Sequence, residues 1–276
     1  MKNISVYAIA VFCLCMACAP VEDREELKGS ITADQLKISA IPEIRDGVNS
    51  NYVILNSDGN PCLSSWDYGS GTLIGTGGRV QLLLTGDNEI IYTGLNPDGT
   101  KITKTLVVHV DRTYDVAPEW GIFCGSGEKV WTWDDQAPAV WGNGGYLSNV
   151  APGWWTVAVA DMEEQTSGEG ANAHMTFSLK GAALTKNKSD GSTEKGTFSF
   201  DMTKTTMNAG NDGLWGIGKL TTTRVTVLSG KQPNGGNAPV YSYDILQLTD
   251  NEMVLGWPEP GAGAWGTAWY WLFRAK

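Results

Sequence analysis

From Ser30 to the C-terminus, no segment of this chain keeps apolar residues at i, i+3, i+4 and i+7 for three helical turns. Short runs of Val, Ile, Thr and aromatics alternate with polar residues instead, broken roughly every 8–15 residues by Gly, Asn or Asp. That rhythm favours strands and leaves room for one short helical turn, over residues 32–38. Expected strands in the first part are Tyr52–Asn56, Arg79–Thr85, Ile90–Leu95 and Lys101–Val110. Later ones are Lys129–Trp133, Trp154–Ala160, Ala173–Lys180, Gly196–Met202, Arg224–Leu228, Tyr241–Leu248, Glu252–Trp257 and Ala268–Arg274. Turn chemistry is explicit at 56–60 (NSDGN), 96–99 (NPDG), 188–191 (KSDG) and 232–236 (QPNGG). The expectation is an all-β protein.

Composition removes several function classes. Twenty Lys and Arg against thirty Asp and Glu give a net charge of −10 and no basic stripe, so binding of nucleic acid by counterion release is excluded. With 42% hydrophobic residues the chain is not disordered. Two His and five scattered Cys supply neither a dense zinc site nor a disulfide framework. No P-loop or dinucleotide fingerprint is present, so no cofactor is implied. His109 and His174 read as ordinary strand residues, and Cys62 and Cys124 read as either a pair or two buried thiols.

The first residues read as an address. Lys2 precedes an apolar run from about Val6 to Ala17, shorter than the roughly 20 residues that span a bilayer as a helix. Residues 1–17 therefore read as a signal peptide and 18–39 as an acidic tether. The stretch Leu14-Cys15-Met16-Ala17-Cys18 resembles the bacterial lipobox, which implies acylation of Cys18 and a membrane anchor. The acidic run within Glu22–Glu26 resembles the export signal of Bacteroidota surface lipoproteins, implying exposure at the outer face of the outer membrane.

Tryptophan is unevenly distributed. Of twelve, only Trp66 falls between residues 19 and 112, and the other eleven lie beyond residue 113. This division suggests a first domain at 40–112, a linker at 113–119 closed by Pro118, and a Trp-rich β domain at 120–276. The segment SSWDYGSG at 64–71 resembles the Trp-Asp-Phe-Gly-Asp-Gly signature of PKD-type immunoglobulin-like domains, with Ser70 in place of the second Asp. The resemblance implies a small β-sandwich, acting as a spacer, with Trp66 in its core.

In the second domain, Trp131 with Trp133, and Trp269 with Trp271, are spaced two apart and share strand faces, which assigns them to the core. Trp141, Tyr146, Trp154, Trp215, Trp257 and Trp265 sit beside Gly or Pro and read as loop-borne. An exposed indole stacks on the C–H face of a sugar ring, and nearby amides and carboxylates take up the hydroxyls. The candidate ligand-binding residues are Trp141, Asn143, Tyr146, Trp154, Trp155, Asp161, Glu164, Trp215 and Trp265. Glycoside hydrolysis would need two carboxylates about 5–9.5 Å apart. Asp134, Asp135, Asp161, Glu163, Glu164 and Glu169 are available, without the E-x-D-x-x-E spacing of a laminarinase-type sheet. A structural or assembly lipoprotein, its tryptophans all in the core, is the third class.

Together the acylated Cys, the PKD-like segment and the segments VWTWDD, VWGNGGY, PGWW, GTFSFDM and AWYWLFR resemble surface glycan-binding lipoproteins of Bacteroidota polysaccharide-utilisation loci. The resemblance implies an antiparallel sandwich or jelly roll for the second domain. It also implies non-catalytic capture of a polysaccharide or oligosaccharide beside an outer-membrane transporter and glycoside hydrolase partners.

Overall fold

A computed structural model describes residues 29–276. The proposed signal peptide, Cys18 and the acidic run lie outside the described residues. Among the described residues no helix is long and apolar enough to cross a membrane.

The first half holds seven strands. They are β1 (Ser39–Arg45), β2 (Val48–Asn56), β3 (Leu63–Asp67), β4 (Thr72–Ile74), β5 (Gly77–Gln81), β6 (Gly86–Leu95) and β7 (Lys101–Val110). They form two antiparallel sheets, ordered β1-β2-β5 and β4-β3-β6-β7, that share one apolar core. Trp66 is at its centre, fully buried and edge-on to Tyr92 at 4.8 Å, with its indole N–H donated to the Gly75 carbonyl. The NPDG turn closes β6 on β7 with Leu95 opposite Lys101, and Gly99 takes a φ of 83° that suits glycine. Residues expected in the tether are fastened here. Asn96 bonds both backbone groups of Ile31, and Leu36 is buried.

The second half departs from the sandwich expectation. Its barrel strands are β8 (Glu128–Trp133), β11 (His174–Ser178), β12 (Ala183–Asn187), β13 (Thr193–Asp201), β16 (Gly218–Thr223), β19 (Ser242–Leu248), β20 (Glu252–Pro258) and β21 (Thr267–Ala275). Each pairs antiparallel with the next, and β21 returns to β8 through Phe273 opposite Trp133 and Ala275 opposite Trp131. Eight strands thus close on themselves, so the sheet is a barrel and not two layers of a jelly roll. Strand β9 (Trp141–Gly145) lies in line with β8 along the same edge of β21, and β10 (Trp155–Val157) is added outside it. Two short antiparallel pairs complete the set: β14 (Thr206–Met207) with β15 (Leu214–Gly216), and β17 (Lys231–Gln232) with β18 (Ala238–Pro239).

Alternation explains the filling. Trp269, Trp271 and Phe273 point inward from β21, while Ala268, Tyr270 and Leu272 point outward. Trp131 and Trp133 are also inward and buried, so the four tryptophans expected in the core lie there. Each indole removes about 150–250 Å² from water, which is enough to fill a barrel of this size. One end is plugged by the helix Glu119–Cys124, whose Phe123 packs on Phe177 and Phe198. Outward positions on β13 and β16 carry Thr197, Ser199, Thr221 and Thr223. An apolar interior with a polar exterior is the inverse of a lipid-facing barrel. Cys62 and Cys124 are both free and lie in separate cores, and burial pushes the Cys124 thiol up to about 12.

Candidate functional site

At the end of the barrel opposite the Phe123 plug, β9 and β10 extend the wall beyond the rim. Pleating sets one cross-strand row, Trp155–Asn143–Trp269, on the inward face, with Trp141 and Trp271 in the next row. The three indoles of Trp141, Trp155 and Trp269 touch mutually. Trp155 meets Trp141 edge-on at 5.4 Å and Trp269 edge-on at 5.8 Å, and Trp141 lies 5.5 Å from Trp269. Trp141 and Trp269 are buried, whereas 40% of Trp155 remains exposed.

Glycine makes this stretch a strand. A Cβ on Gly142, whose φ is 148°, would fall 2.1 Å from the Trp155 carbonyl oxygen. Gly144 and Gly145 leave room for Asn149 and for the ring of Trp265. The sequence WGNGG reads as a loop because those glycines usually mark turns; here they let a hairpin pack closely.

The aromatic trio forms one wall of an open cavity of about 460 Å³. Opposite it stand Gln165, from the short helix Met162–Gln165, Lys231, from β17, and Pro233, Asn234 and Asn237, from the turn between β17 and β18. Asn143 accepts the Trp155 backbone N–H at 3.1 Å, fixing the hairpin. Glu259 accepts from both Trp269 Nε1 at 3.0 Å and Asn234 Nδ2 at 2.7 Å. Lys231 Nζ donates to the Gln165 carbonyl and lies 5.3 Å from the Trp141 ring centroid. Burial pushes the Lys231 ammonium below its usual range, with the charge of Glu169 opposing. The Trp141 indole N–H is buried without a hydrogen-bond acceptor, so a donor is left unsatisfied in the wall.

Of the residues expected to bind, the structure gathers Trp141, Asn143 and Trp155 at this cavity. Trp141 is a strand residue and buried, contrary to the loop reading. Trp215 is likewise corrected: it is buried on the barrel's outer face, where it packs on Tyr146 and Tyr270 and donates to the Asn149 carbonyl. Tyr146 is thereby half-buried structural packing. Trp154 and Trp265 are exposed but do not line the cavity, and neither do Asp161 and Glu164. Trp257 packs half-buried against the barrel core.

The carboxylates weighed for hydrolysis are mostly committed elsewhere. Glu163 accepts from the Gly168 and Gly170 amides and from Ser189, which hold it below the usual carboxylate range. Glu169 is buried against Lys186 at 2.9 Å, and Asp135 meets Arg274 at 3.2 Å. Another concavity, of about 490 Å³ and lined by Tyr68, Leu83, Leu84, Ile91, Val107 and Leu179, carries no indole. Among the described residues no cluster of metal-ligating side chains occurs.

Gln165 closes the polar run 161–165 that offered a rim, whereas Lys231, Asn234, Asn237 and Trp269 were not among the residues expected to bind. The amide-rich QPNGGN segment is visible in the sequence, but there it signals only a turn. No known family model matches the chain, and no curated protein matches it.

Proposed function

We propose that this chain is a non-catalytic carbohydrate-binding lipoprotein, held at the outer face of the outer membrane by an acyl group on Cys18. It captures a polysaccharide or oligosaccharide for an outer-membrane uptake system whose transporter and hydrolases are its partners. The observation that carries the reading is the half-exposed Trp155 ring, braced edge-on by Trp141 and Trp269 and faced by the side chains of Gln165, Asn234 and Asn237. A flat apolar plate with amides opposite suits a pyranose ring, which offers C–H bonds on its faces and hydroxyls around its edge. The engagement of Glu163, Glu169 and Asp135 in fixed contacts favours capture over hydrolysis. In this reading the first half is a PKD-type immunoglobulin-like spacer between the anchor and the barrel.

Isothermal titration of the mature protein against β-glucans, xyloglucan, mannans, α-glucans and acidic polysaccharides tests the proposal. Binding of at least one, with no reducing sugar released on prolonged incubation, is the expected result. Release that a single carboxylate-to-amide substitution abolishes would make the protein an enzyme. Absence of binding across the panel, with Trp155 fluorescence unmoved, would leave the tryptophans a purely structural role.

A further inference from the structure

The rim cavity continues into a second one of about 240 Å³, and the two share Lys231 and Asn237. The combined groove runs from Trp155 past Lys231 to Tyr241 and Arg224. Its carboxylates are neutralised in place. Glu169 and Glu194 both face Lys186, at 2.9 and 3.5 Å, and Glu194 also meets Lys188 at 2.5 Å. These four charges cancel. Lys231 and Arg224 remain, and neither forms an ion pair among the described residues. Even against Glu259, which has no cation partner among the described residues and sits behind the first cavity's wall, the groove keeps a small positive balance in a chain whose net charge is −10.

Its hydrogen-bonding character points the same way. No carboxylate lines the first cavity, since Glu259 behind its wall is taken up by Trp269 Nε1 and Asn234 Nδ2, while Lys231 Nζ supplies a charged donor. A neutral sugar hydroxyl both donates and accepts, whereas an ionised carboxylate only accepts and forms stronger, charge-assisted hydrogen bonds. We infer that the groove takes an acidic oligosaccharide, a uronate carboxylate meeting Lys231 while a pyranose ring of the same ligand lies on Trp155 and the chain runs on toward Tyr241 and Arg224. The inference rests on the capture reading and specifies its ligand class.

Calorimetry on the mature protein compares uronate oligosaccharides (galacturonan, guluronan-mannuronan and glucuronoxylan fragments) with their carboxyl-reduced counterparts and with a sulfated oligosaccharide. At least one uronate ligand is expected to bind about tenfold or more tighter than its reduced form, the scale of one charged hydrogen bond. Lys231→Met should bring the acidic ligand down to the level of the reduced one, and Lys231→Arg should keep most of the preference. Equal affinity of wild-type protein for acidic and reduced ligands overturns the inference but leaves capture standing, and that comparison needs no variant to fold. Preference for the sulfated ligand over every uronate overturns the carboxylate assignment. Binding of no ligand in the wider panel removes both readings.

Discussion

Trp154 and Trp155 are neighbours of the same chemistry, 54% and 40% exposed, and only Trp155 lines the cavity. Substituting each by Ala separates position from composition. For an indole of about 250 Å², the exposed part of Trp155 is roughly 100 Å². A pyranose face covering about half of that withdraws roughly 50 Å², and at ~25 cal/mol per Å² the contact is worth about 1.3 kcal/mol. Trp155→Ala should then raise Kd about tenfold, and Trp154→Ala should leave it within about twofold. The folding cost differs as well. Trp141→Ala empties a fully buried position and should cost about 3–5 kcal/mol, lowering Tm by about 6–20 °C for a domain of this size. Trp155→Ala should cost about 2 kcal/mol, since its hairpin lies at the edge of the sheet and can relax. Titration calorimetry and scanning calorimetry on the three variants give both numbers. Equal loss of affinity in Trp154→Ala and Trp155→Ala, or loss in Trp154→Ala alone, would refute the placement of the sugar platform.

Three further outcomes follow from the same geometry. Lys186→Met leaves the buried Glu169 faced only by the looser Lys188, at 3.9 Å, and the Ser229 amide, and should destabilise by about 3 kcal/mol; adding Glu169→Gln should recover a large part of it, as measured by denaturant unfolding. Trp215→Ala should cost about 3–5 kcal/mol of stability with unchanged glycan affinity, because the ring packs on the outer face against Tyr146 and Tyr270. Glu163 is held below 4.5 by the Gly168 amide, Ser189 and the Gly170 amide, so its stabilising contacts are complete above 4.5 and are lost as pH falls through the lower folded value. The Gly168 and Gly170 amide resonances should accordingly titrate with a midpoint below 4.5; a midpoint at or above it would show the contacts to be absent in solution.

How much of this was legible in the sequence depends on which interactions are local. The i, i+2 spacing of Trp131 with Trp133 and of Trp269 with Trp271 fixes a shared face in any strand, and all four are core. The NPDG and KSDG turns also close the hairpins expected of them, with Gly99 and Gly191 at φ 83°. Closure of the barrel left no such trace, because inward–outward alternation is the same in a sandwich and in a barrel. The deciding contact, Phe273 opposite Trp133, joins strands 140 residues apart. Trp215 misled for a related reason: Gly213 and Gly216 beside it look like loop chemistry, yet β15 presses the ring onto Tyr270. The polar wall was hidden most completely. Gln165 and Asn237 come to line one cavity only because the helix Met162–Gln165 and the turn after β17 both reach the rim.

The buried tryptophans are not thereby irrelevant to binding. A stacking plate contributes affinity in proportion to how little it must be ordered when the ligand arrives. Trp155 is ordered before that. Its backbone N–H is held by Asn143, its strand by β9, and its ring edge by two buried indoles at 5.4 and 5.8 Å. Trp141 and Trp269, which contact the platform from below, are at the same time part of the barrel core. One set of side chains thus does two things, closing the end of the barrel and presenting a rigid face beyond it. A Trp141→Phe variant makes the distinction measurable: it keeps most of the buried volume but narrows the support beneath Trp155, so glycan affinity should fall by more than the accompanying change in stability would suggest.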